Sequence, residues 1–431
     1  MKKTPFNRYY KSVEYLESLS NLPIQGDYMI DRSHADLYLQ RMRYFLNLIG
    51  DPDKDFRYIH IAGTSGKGTV TNMLHEILYA AGKKVGSFTS PYVVTSIEKI
   101  KVGQYYISPN EFSDIVDYLK PFIDKAYVSG LYGRPSYFEI FFAIALLYFK
   151  KMKCEWVVLE VGLGGRFDAT NVITTPLVTA ITNIDFDHTE ILGKTLTKIA
   201  YDKAGIIKKG SVFFTTEKRK NILRIFVQIC LEKKVSISIL PKQSEYHESN
   251  KSLATAIARH ISIKEEHISK GLNHSRMMCR FETVQNNPTV ILDGAHNRAK
   301  ISSTVANLER LKFEKVILII GIANNKDHIS ILAQIIPKVD IIIFTRFSNR
   351  DRKCAHPKEL MEKSKKFYKR TSKSQVFLDA NDAMDHALGC AGKKDVILVA
   401  GSFFLAGELR KRWHPEEEIL SSRQAFFKKE L

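Results

Sequence analysis

A chain of 431 residues is long enough for about two or three domains, each with its own core. Its 44% hydrophobic and 26% charged content excludes a disordered or fibrous protein, and its longest apolar run, Ile140–Phe149, is too short to span a bilayer. Lysine and arginine outnumber the acidic residues 65 to 46, a net charge of +19 that predicts anionic partners: a nucleotide, a polycarboxylate substrate or nucleic acid.

The opening M-K-K-T-P-F-N-R-Y-Y has no apolar core behind its basic residues and so does not read as a signal peptide. Cys154, Cys230, Cys279, Cys354 and Cys390 form no C-x-x-C pair, which points to a reducing cytoplasm and away from zinc. Residues 1–57 read as amphipathic helix, with Tyr15, Leu16 and Leu19 on one patch and Leu37, Met42, Phe45, Leu46 and Ile49 on another. Asp51-Pro52-Asp53 ends that pattern.

A short apolar strand follows and runs into Gly63-Thr64-Ser65-Gly66-Lys67-Gly68-Thr69, which opens an amphipathic helix over Val70–Ala81. Strand, glycine turn and helix start present backbone N–H groups to a phosphate. The glycines let the backbone approach, Lys67 supplies charge, and the Thr69 hydroxyl suits a phosphate or its Mg²⁺. The usual G-x-x-x-x-G-K-[ST] spacing is not met, because Ile61 holds the first glycine's place and Gly68 separates Lys67 from Thr69.

Lys83–Phe88 predicts a second strand ending in Thr89-Ser90-Pro91, at the sheet edge where ligands bind. Residues 136–153 predict a buried helix, and Trp156–Glu160 a strand closed by a carboxylate that is a candidate Mg²⁺ ligand. Gly162-Leu163-Gly164-Gly165-Arg166-Phe167-Asp168 then argues for close backbone packing. Leu177–Ile181 is another strand, ending in Asp185-Phe186-Asp187-His188, where Asp and His are either a metal-ligand pair or a surface couple. Helix Thr195–Ala204 carries Lys203, a lysine that by itself would point at water. Alternation of strands and helices continues through 211–271, and the pattern breaks into polar sequence around Gly271–Cys279. Domains are therefore expected at 1–275 and 279–431. The second has strands Thr289–Leu292, Lys315–Ile320, Val339–Phe344, Gln375–Leu378 and Val396–Ala400. The predicted class is α/β: two doubly wound domains, the second smaller and Rossmann-like.

Six blocks, in order, carry a resemblance over residues from about 10 to 412. They are H-I-A-G-T-S-G-K-G-T; F-T-S-P with I-E-K-I; L-E-V-G-L-G-G-R-F-D-A-T-N-V-I; I-D-F-D-H-T-E-I-L-G-K-T; Y-D-K-A-G-I-I-K; and C-R-F-E with I-L-D-G-A-H-N. The closing V-A-G-S-F-F-L-A-G-E-L-R also fits. The chain resembles the folylpolyglutamate synthase/dihydrofolate synthase family of the Mur ligase superfamily.

That resemblance implies an N-terminal ATPase domain of Mur ligase type, with Gly63, Thr64, Ser65, Gly66, Lys67, Gly68 and Thr69 around the ATP phosphates. It implies one Mg²⁺ on Ser90 and Glu160 and a second on His188 and a carbamylated Lys203, with Lys67, His188 and Lys203 catalytic. Asn250 matches a position near the adenine, and Arg280, Asp293 and His296 would reach the nucleotide from the second domain. The implied reaction joins L-glutamate to dihydropteroate or to the glutamate tail of a reduced folate, through an acyl phosphate, in a cytoplasmic monomer without nucleic-acid or membrane partners. The chain departs from the family pattern at Ser65, Thr69, Tyr92, Lys99 and Cys279. A Mur-type ligase for another carboxylate acceptor, such as a UDP-linked one, is disfavoured by the short segment before Gly63. A nucleic-acid-binding P-loop protein lacks any aromatic–basic interleaving.

Overall fold

The computed structural model describes residues 5–19, 35–129, 131–241, 243, 245–348, 353–369 and 373–426. The chain forms two compact units, one of 1–92, 96–276 and 420–424, the other of 93–95, 277–419 and 425–431.

Among the described residues, the first unit is built on eight strands. They are β1 (Arg57–Ala62), β2 (Val85–Phe88), β3 (Ile100–Val102), β4 (Tyr105–Tyr106), β5 (Trp156–Glu160), β6 (Val178–Ile181), β7 (Val212–Thr215) and β8 (Ser236–Ile239). Their order is β4-β3-β2-β5-β1-β6-β7-β8. Pairing is parallel from β2 to β8, and β3 and β4 add an antiparallel edge. β1 lies at the centre, between β5 and β6, so the turn after it opens in mid-sheet.

The two faces of β1 bury different cores, as strand alternation requires. Ile59 and Ile61 face helix Lys67–Ala80 through Val70, Leu74 and Ile77, together with Leu253 and Ile257 of helix Tyr246–His260. Ala62 belongs to the opposite core, with Ile181, Ile199, Phe213 and Phe226. Helices on both faces make the unit doubly wound. Helix Tyr137–Lys151 starts in a capping box formed by Ser136 and Glu139. Glu139 also accepts from Arg41 of helix Asp36–Leu48, in an ion pair with both side chains almost wholly buried.

The second unit has strands β9 (Glu282–Gln285), β10 (Thr289–Leu292), β11 (Val316–Ile320), β12 (Ile341–Phe344), β13 (Lys373–Val376) and β14 (Val396–Ala400), in the order β13-β12-β11-β14-β10-β9. All pairings are parallel except β9 on β10. Val316, Leu318 and Ile320 of β11 pack on helices Arg298–Leu308 and His328–Ile335, while Ile317 and Ile319 pack toward Ala380–Cys390 and Phe403–Arg410.

The α/β class with two sheets agrees with the expectation from sequence. The details differ in three places. Helix Pro109–Ser129, with Pro121 inside it, and the β3–β4 edge were not predicted. Gly271, read as part of a break, lies inside helix Glu265–His274, where a Cβ would collide with the backbone of Ile77. It is a packing glycine and not a terminator. The second series opens with antiparallel β9, too short and too polar (E-T-V-Q) to show a period. No described helix is long and apolar enough to cross a membrane.

Candidate active site

The turn between β1 and helix Lys67–Ala80 forms because two of its glycines take backbone angles closed to other residues: Gly63 at φ 143° and Gly66 at φ 84°. Gly66 is the residue before the helix and uses no side-chain cap, which leaves the first-turn N–H groups to another acceptor. Space is as restrictive as angle. A Cβ on Gly63 would overlap the Thr182 hydroxyl, and one on Gly66 would lie 2.5 Å from Asn250 Oδ1. The structure thus brings Asn250 onto the phosphate turn, from helix Tyr246–His260.

The loop after β6 clamps the turn from the other side. Thr64 N donates to the Asn183 carbonyl at 2.9 Å and Ser65 N to Asn183 Oδ1 at 2.8 Å. Thr182 Oγ1 donates to the Ser65 carbonyl at 2.6 Å, and Thr64 Oγ1 accepts from Asp185 N at 3.0 Å. Thr182 and Asn183 were not singled out from sequence, and Asp185 only as part of the strand-end run that carries His188. The signal available was the polar run closing β6. That loop is braced in turn from the end of β7: Thr215 and Thr216 donate to the carbonyls of Ile181 and Thr182, and the Arg219 guanidinium to that of Ile184.

Two lysines meet at the turn. Lys67 Nζ donates to the Gly63 carbonyl at 3.2 Å, and Lys203 Nζ donates to the same oxygen at 3.1 Å. Lys203 ends helix Leu196–Lys203 and is 4% exposed, so it does not point at water. Burial, together with the charge of Lys67, pushes its ammonium down to about 7. Its place is fixed by glycines: Gly165 leaves no room for a Cβ against the Lys203 backbone, and Arg166 N donates to the Asp202 carbonyl at 2.9 Å.

Glu160, at the C-terminal end of β5, is buried and accepts from Ser90 N at 3.1 Å. A Cβ on Gly68 would stand 3.1 Å from Glu160 Oε2, so this carboxylate lies directly against the first turn of the phosphate helix. Asp168 is wholly enclosed: it accepts from Leu163 N, Thr170 N and the Thr170 hydroxyl, and burial pushes its carboxyl up while these bonds and Lys67 oppose the shift. His188 takes a left-handed conformation (φ 50°) at the start of helix Thr189–Leu192, with Nε2 4.0 Å from Asp187 Oδ1. Asp187 and Lys203 feel each other's charge. Thr69 is the third residue of the phosphate helix.

Among the described residues, no cluster of three or more His, Cys, Asp or Glu side chains is gathered as a metal cage. Mg²⁺ does not need one. It usually takes one or two carboxylates and completes its shell with phosphate oxygens and water. Glu160 pressed against the phosphate helix, with Ser90 beside it, has the chemistry for that arrangement.

The other three predicted residues share one corner of the second unit. Asp293, at the end of β10, accepts from Ala295 N at 2.9 Å and from Thr304 Oγ1 at 3.0 Å. Burial raises its carboxyl, opposed by the charges of Arg280 and Lys300. Arg280 lies between two left-handed residues, Cys279 and Phe281, with its guanidinium 4.8 Å over the Phe403 ring. Glu282 holds that turn by accepting from Cys279 N at 2.8 Å, and is itself held by the fully buried Arg410. His296 bonds through Nδ1 to the Gly294 carbonyl at 2.8 Å.

The profile of the Mur ligase, glutamate ligase domain matches residues 279–403. The dihydrofolate synthase/folylpolyglutamate synthase of Bacillus subtilis is 30% identical over 414 residues, covering 87% of this chain and 94% of that protein. The Yersinia pestis bifunctional folylpolyglutamate synthase/dihydrofolate synthase, solved with AMPPNP and a Mn ion, superposes with a TM-score of 0.79 at 26% identity, over 96% of this chain and 98% of its own. Escherichia coli FolC in complex with DHPP and ADP gives 0.76 at 25% identity, with the same coverage of both chains.

Proposed function

Because the chain belongs to the dihydrofolate synthase/folylpolyglutamate synthase family, we propose that it is an ATP-dependent ligase that adds L-glutamate to dihydropteroate, to the glutamate tail of a reduced folate, or to both. The observation that carries this reading is the convergence at the end of β1: Lys67 and Lys203 on one Gly63 carbonyl, with Glu160 against Gly68.

The acceptor's carboxylate oxygen attacks the γ-phosphorus of ATP, the bond to the β-phosphate oxygen breaks, and ADP leaves. The glutamate amine then attacks the acyl carbon, loses a proton, and phosphate departs as the amide forms. Nearly every species on this path is anionic, so catalysis is chiefly charge stabilisation and positioning. Lys67 and the N–H groups of the phosphate turn hold the triphosphate. Asn250 stands over Gly66, on the side assigned to the nucleoside.

Ser90 and Glu160 would hold one Mg²⁺, and His188 with Lys203 a second. The ions supply charge neutralisation on the phosphates. For Lys203 to serve, its neutral amine adds to the carbon of CO₂, forming an N–C bond and releasing one proton, which turns a cation into a carboxylate-like ligand. Burial and the neighbouring Lys67 favour the neutral amine that this addition needs. The same reading takes the enzyme as a cytoplasmic monomer.

The decisive test is ADP release by the purified protein with ATP, Mg²⁺ and L-glutamate, plus either dihydropteroate or a reduced folate. Stimulation by one acceptor, with a product heavier by one glutamate, supports the assignment. Stimulation by neither, from folded protein, removes it.

A further inference from the structure

The stretch from Lys353 to Lys373 carries a positive surplus that the ligase site does not use. Helix Pro357–Ser364 and the turn Lys365–Phe367 connect β12 to the edge strand β13. Leu360 is fully buried with Ile342 and Phe344 of β12, Ser364 is buried, and Phe367 packs on the same core. These inward residues recur every three or four positions, so the side chains between them face solvent on one side of the unit. Among the described residues from 353 to 373, seven lysines are exposed against two glutamates, Glu359 and Glu362.

Local ion pairs compensate three of these lysines: Lys363 lies 3.8 Å from Glu359, Lys365 2.7 Å from Glu362 and Lys369 3.6 Å from Asp340. Lys353, Lys358, Lys366 and Lys373 have no carboxylate partner among the described residues, and Lys366 lies 5.1 Å over the Phe367 ring. Like charges gathered on one face raise the local potential and attract a polyanion. The chemistry of the face narrows which one. Lys365-Lys366-Phe367-Tyr368-Lys369 interleaves basic and aromatic residues, contrary to the expectation from sequence, but both rings pack on the core and the Tyr368 hydroxyl accepts from Ser364 Oγ at 3.2 Å. Single-stranded nucleic acid is held by stacking on presented rings, and these are not presented. A membrane surface takes up apolar side chains beside the basic ones, and no apolar side chain is exposed among the described residues from 353 to 376. A duplex needs only charge facing its phosphates.

We propose that this face of the second unit binds double-stranded nucleic acid through its phosphates, without reading sequence, and that Lys353, Lys358, Lys366 and Lys373 make the principal contacts. Lysine suits that role, as a flexible point charge that follows a phosphate without fixing a base. The proposal stands independently of the ligase reading, and it runs against the absence of a nucleic-acid partner that the family resemblance implies.

The test titrates full-length protein into a labelled DNA duplex of about 20 base pairs, read by fluorescence anisotropy at salt concentrations from about 50 to 200 mM. Four phosphate contacts at about 0.9 each predict that log K falls with log salt with a slope of about −4. A variant carrying Lys353→Gln, Lys358→Gln, Lys366→Gln and Lys373→Gln should bind at least about tenfold more weakly at the lowest salt, with most of that slope gone. A control with the same loss of charge in the first unit, Lys83→Gln, Lys125→Gln, Lys150→Gln and Lys270→Gln, removes four exposed lysines and should bind within about twofold of wild type. Both variants should keep the wild-type melting temperature, because every substituted side chain is exposed.

Wild-type protein that leaves the duplex free at the lowest salt overturns the proposal, as does a patch variant that binds within twofold of wild type. A control variant that loses as much as the patch variant also overturns it, by showing that net charge and not this face is responsible. Tighter binding to a single strand of the same length, or to vesicles containing phosphatidylserine, would assign the face to a different anion and overturn it too. If the fourfold variant melts early, the double variant Lys358→Gln/Lys366→Gln carries the same test, with about half the change in slope.

Discussion

Gly68→Ala separates two quantities that usually move together. Gly68 is the second residue of helix Lys67–Ala80 and does not adopt a left-handed angle, so alanine is sterically allowed by the backbone. Replacing a helical glycine by alanine contributes about 0.5–1 kcal/mol of stability. The new methyl group, however, meets Glu160 Oε2 at 3.1 Å, Oε1 at 3.5 Å and the carboxyl carbon at 3.6 Å. The first contact is a few tenths of an ångström too close, and Glu160 also accepts from Ser90 N, so the carboxylate must rotate away from that bond. Since a displacement of about 1 Å costs on the order of 100-fold in rate, a shift of a third of that predicts roughly a fivefold loss. A higher Mg²⁺ requirement should accompany it, because Glu160 is the proposed ligand. Thermal melting and ADP release against Mg²⁺ concentration read the two effects. A variant at least as stable as wild type but about fivefold slower is the expected result. Full turnover with an unchanged Mg²⁺ dependence would show that Glu160 is not at the metal.

Lys67→Ala should abolish turnover while leaving the fold intact, measured as ADP release and melting temperature. Lys203→Ala and Lys203→Arg should both lose most activity, because arginine keeps the charge but cannot form a carbamate; an active Lys203→Arg enzyme would refute that role. Arg41→Met should destabilise the protein by up to about 3–5 kcal/mol in denaturant titration, since it removes the ion-pair partner of the buried Glu139 and leaves that carboxylate the Ser136 N–H and the charge of Arg134. His75 is fully enclosed, with Nε2 2.7 Å from the Gly103 carbonyl, and burial lowers it from 6.5 to about 3. The unfolded chain therefore binds its proton first, so this contribution is complete above pH 6.5 and is lost as the pH falls toward 3. At pH 5 the loss is about 2 kcal/mol, and His75→Gln should flatten the decline in melting temperature between pH 7 and 5. Parallel curves for variant and wild type would contradict it.

The central strands of both units were legible because they are buried on both faces and so read as unbroken apolar runs: Trp156–Glu160 and Val396–Ala400 match to the residue. Edge elements were not, since β9 and the β3–β4 pair are short and half-polar. Among site residues, the glycines and Lys67 are visible because their types are unusual at a strand-to-helix turn. Thr182 and Asn183 are ordinary loop residues in sequence, and Asp185 drew notice only beside His188. Only the parallel pairing of β6 beside β1 brings their carbonyls, amides and hydroxyls onto the turn. Gly271 misled for the opposite reason: its type suggested a break, and only the neighbouring helix explains why a side chain is excluded.

Lys203 shows how far a single residue type can be from its meaning. On an exposed helix end it would be a solvated cation, and its sequence neighbours Asp202 and Ala204 do nothing to contradict that. Gly165 and Gly205 decide otherwise, because each lets the 162–168 loop press against the end of the helix and close it from water. The enclosure places a second ammonium on a carbonyl already occupied by Lys67. Two like charges on one oxygen are unfavourable in a buried site, and the arrangement is relieved if one of them loses its proton or becomes an anion. The glycine spacing of the loop after β5 and the chemistry of Lys203, far along the chain from Gly165, are thus one constraint. A Gly165→Ala substitution should disturb Lys203 as severely as changing Lys203 itself, with Mg²⁺-dependent ADP release lost and the phosphate turn unaltered.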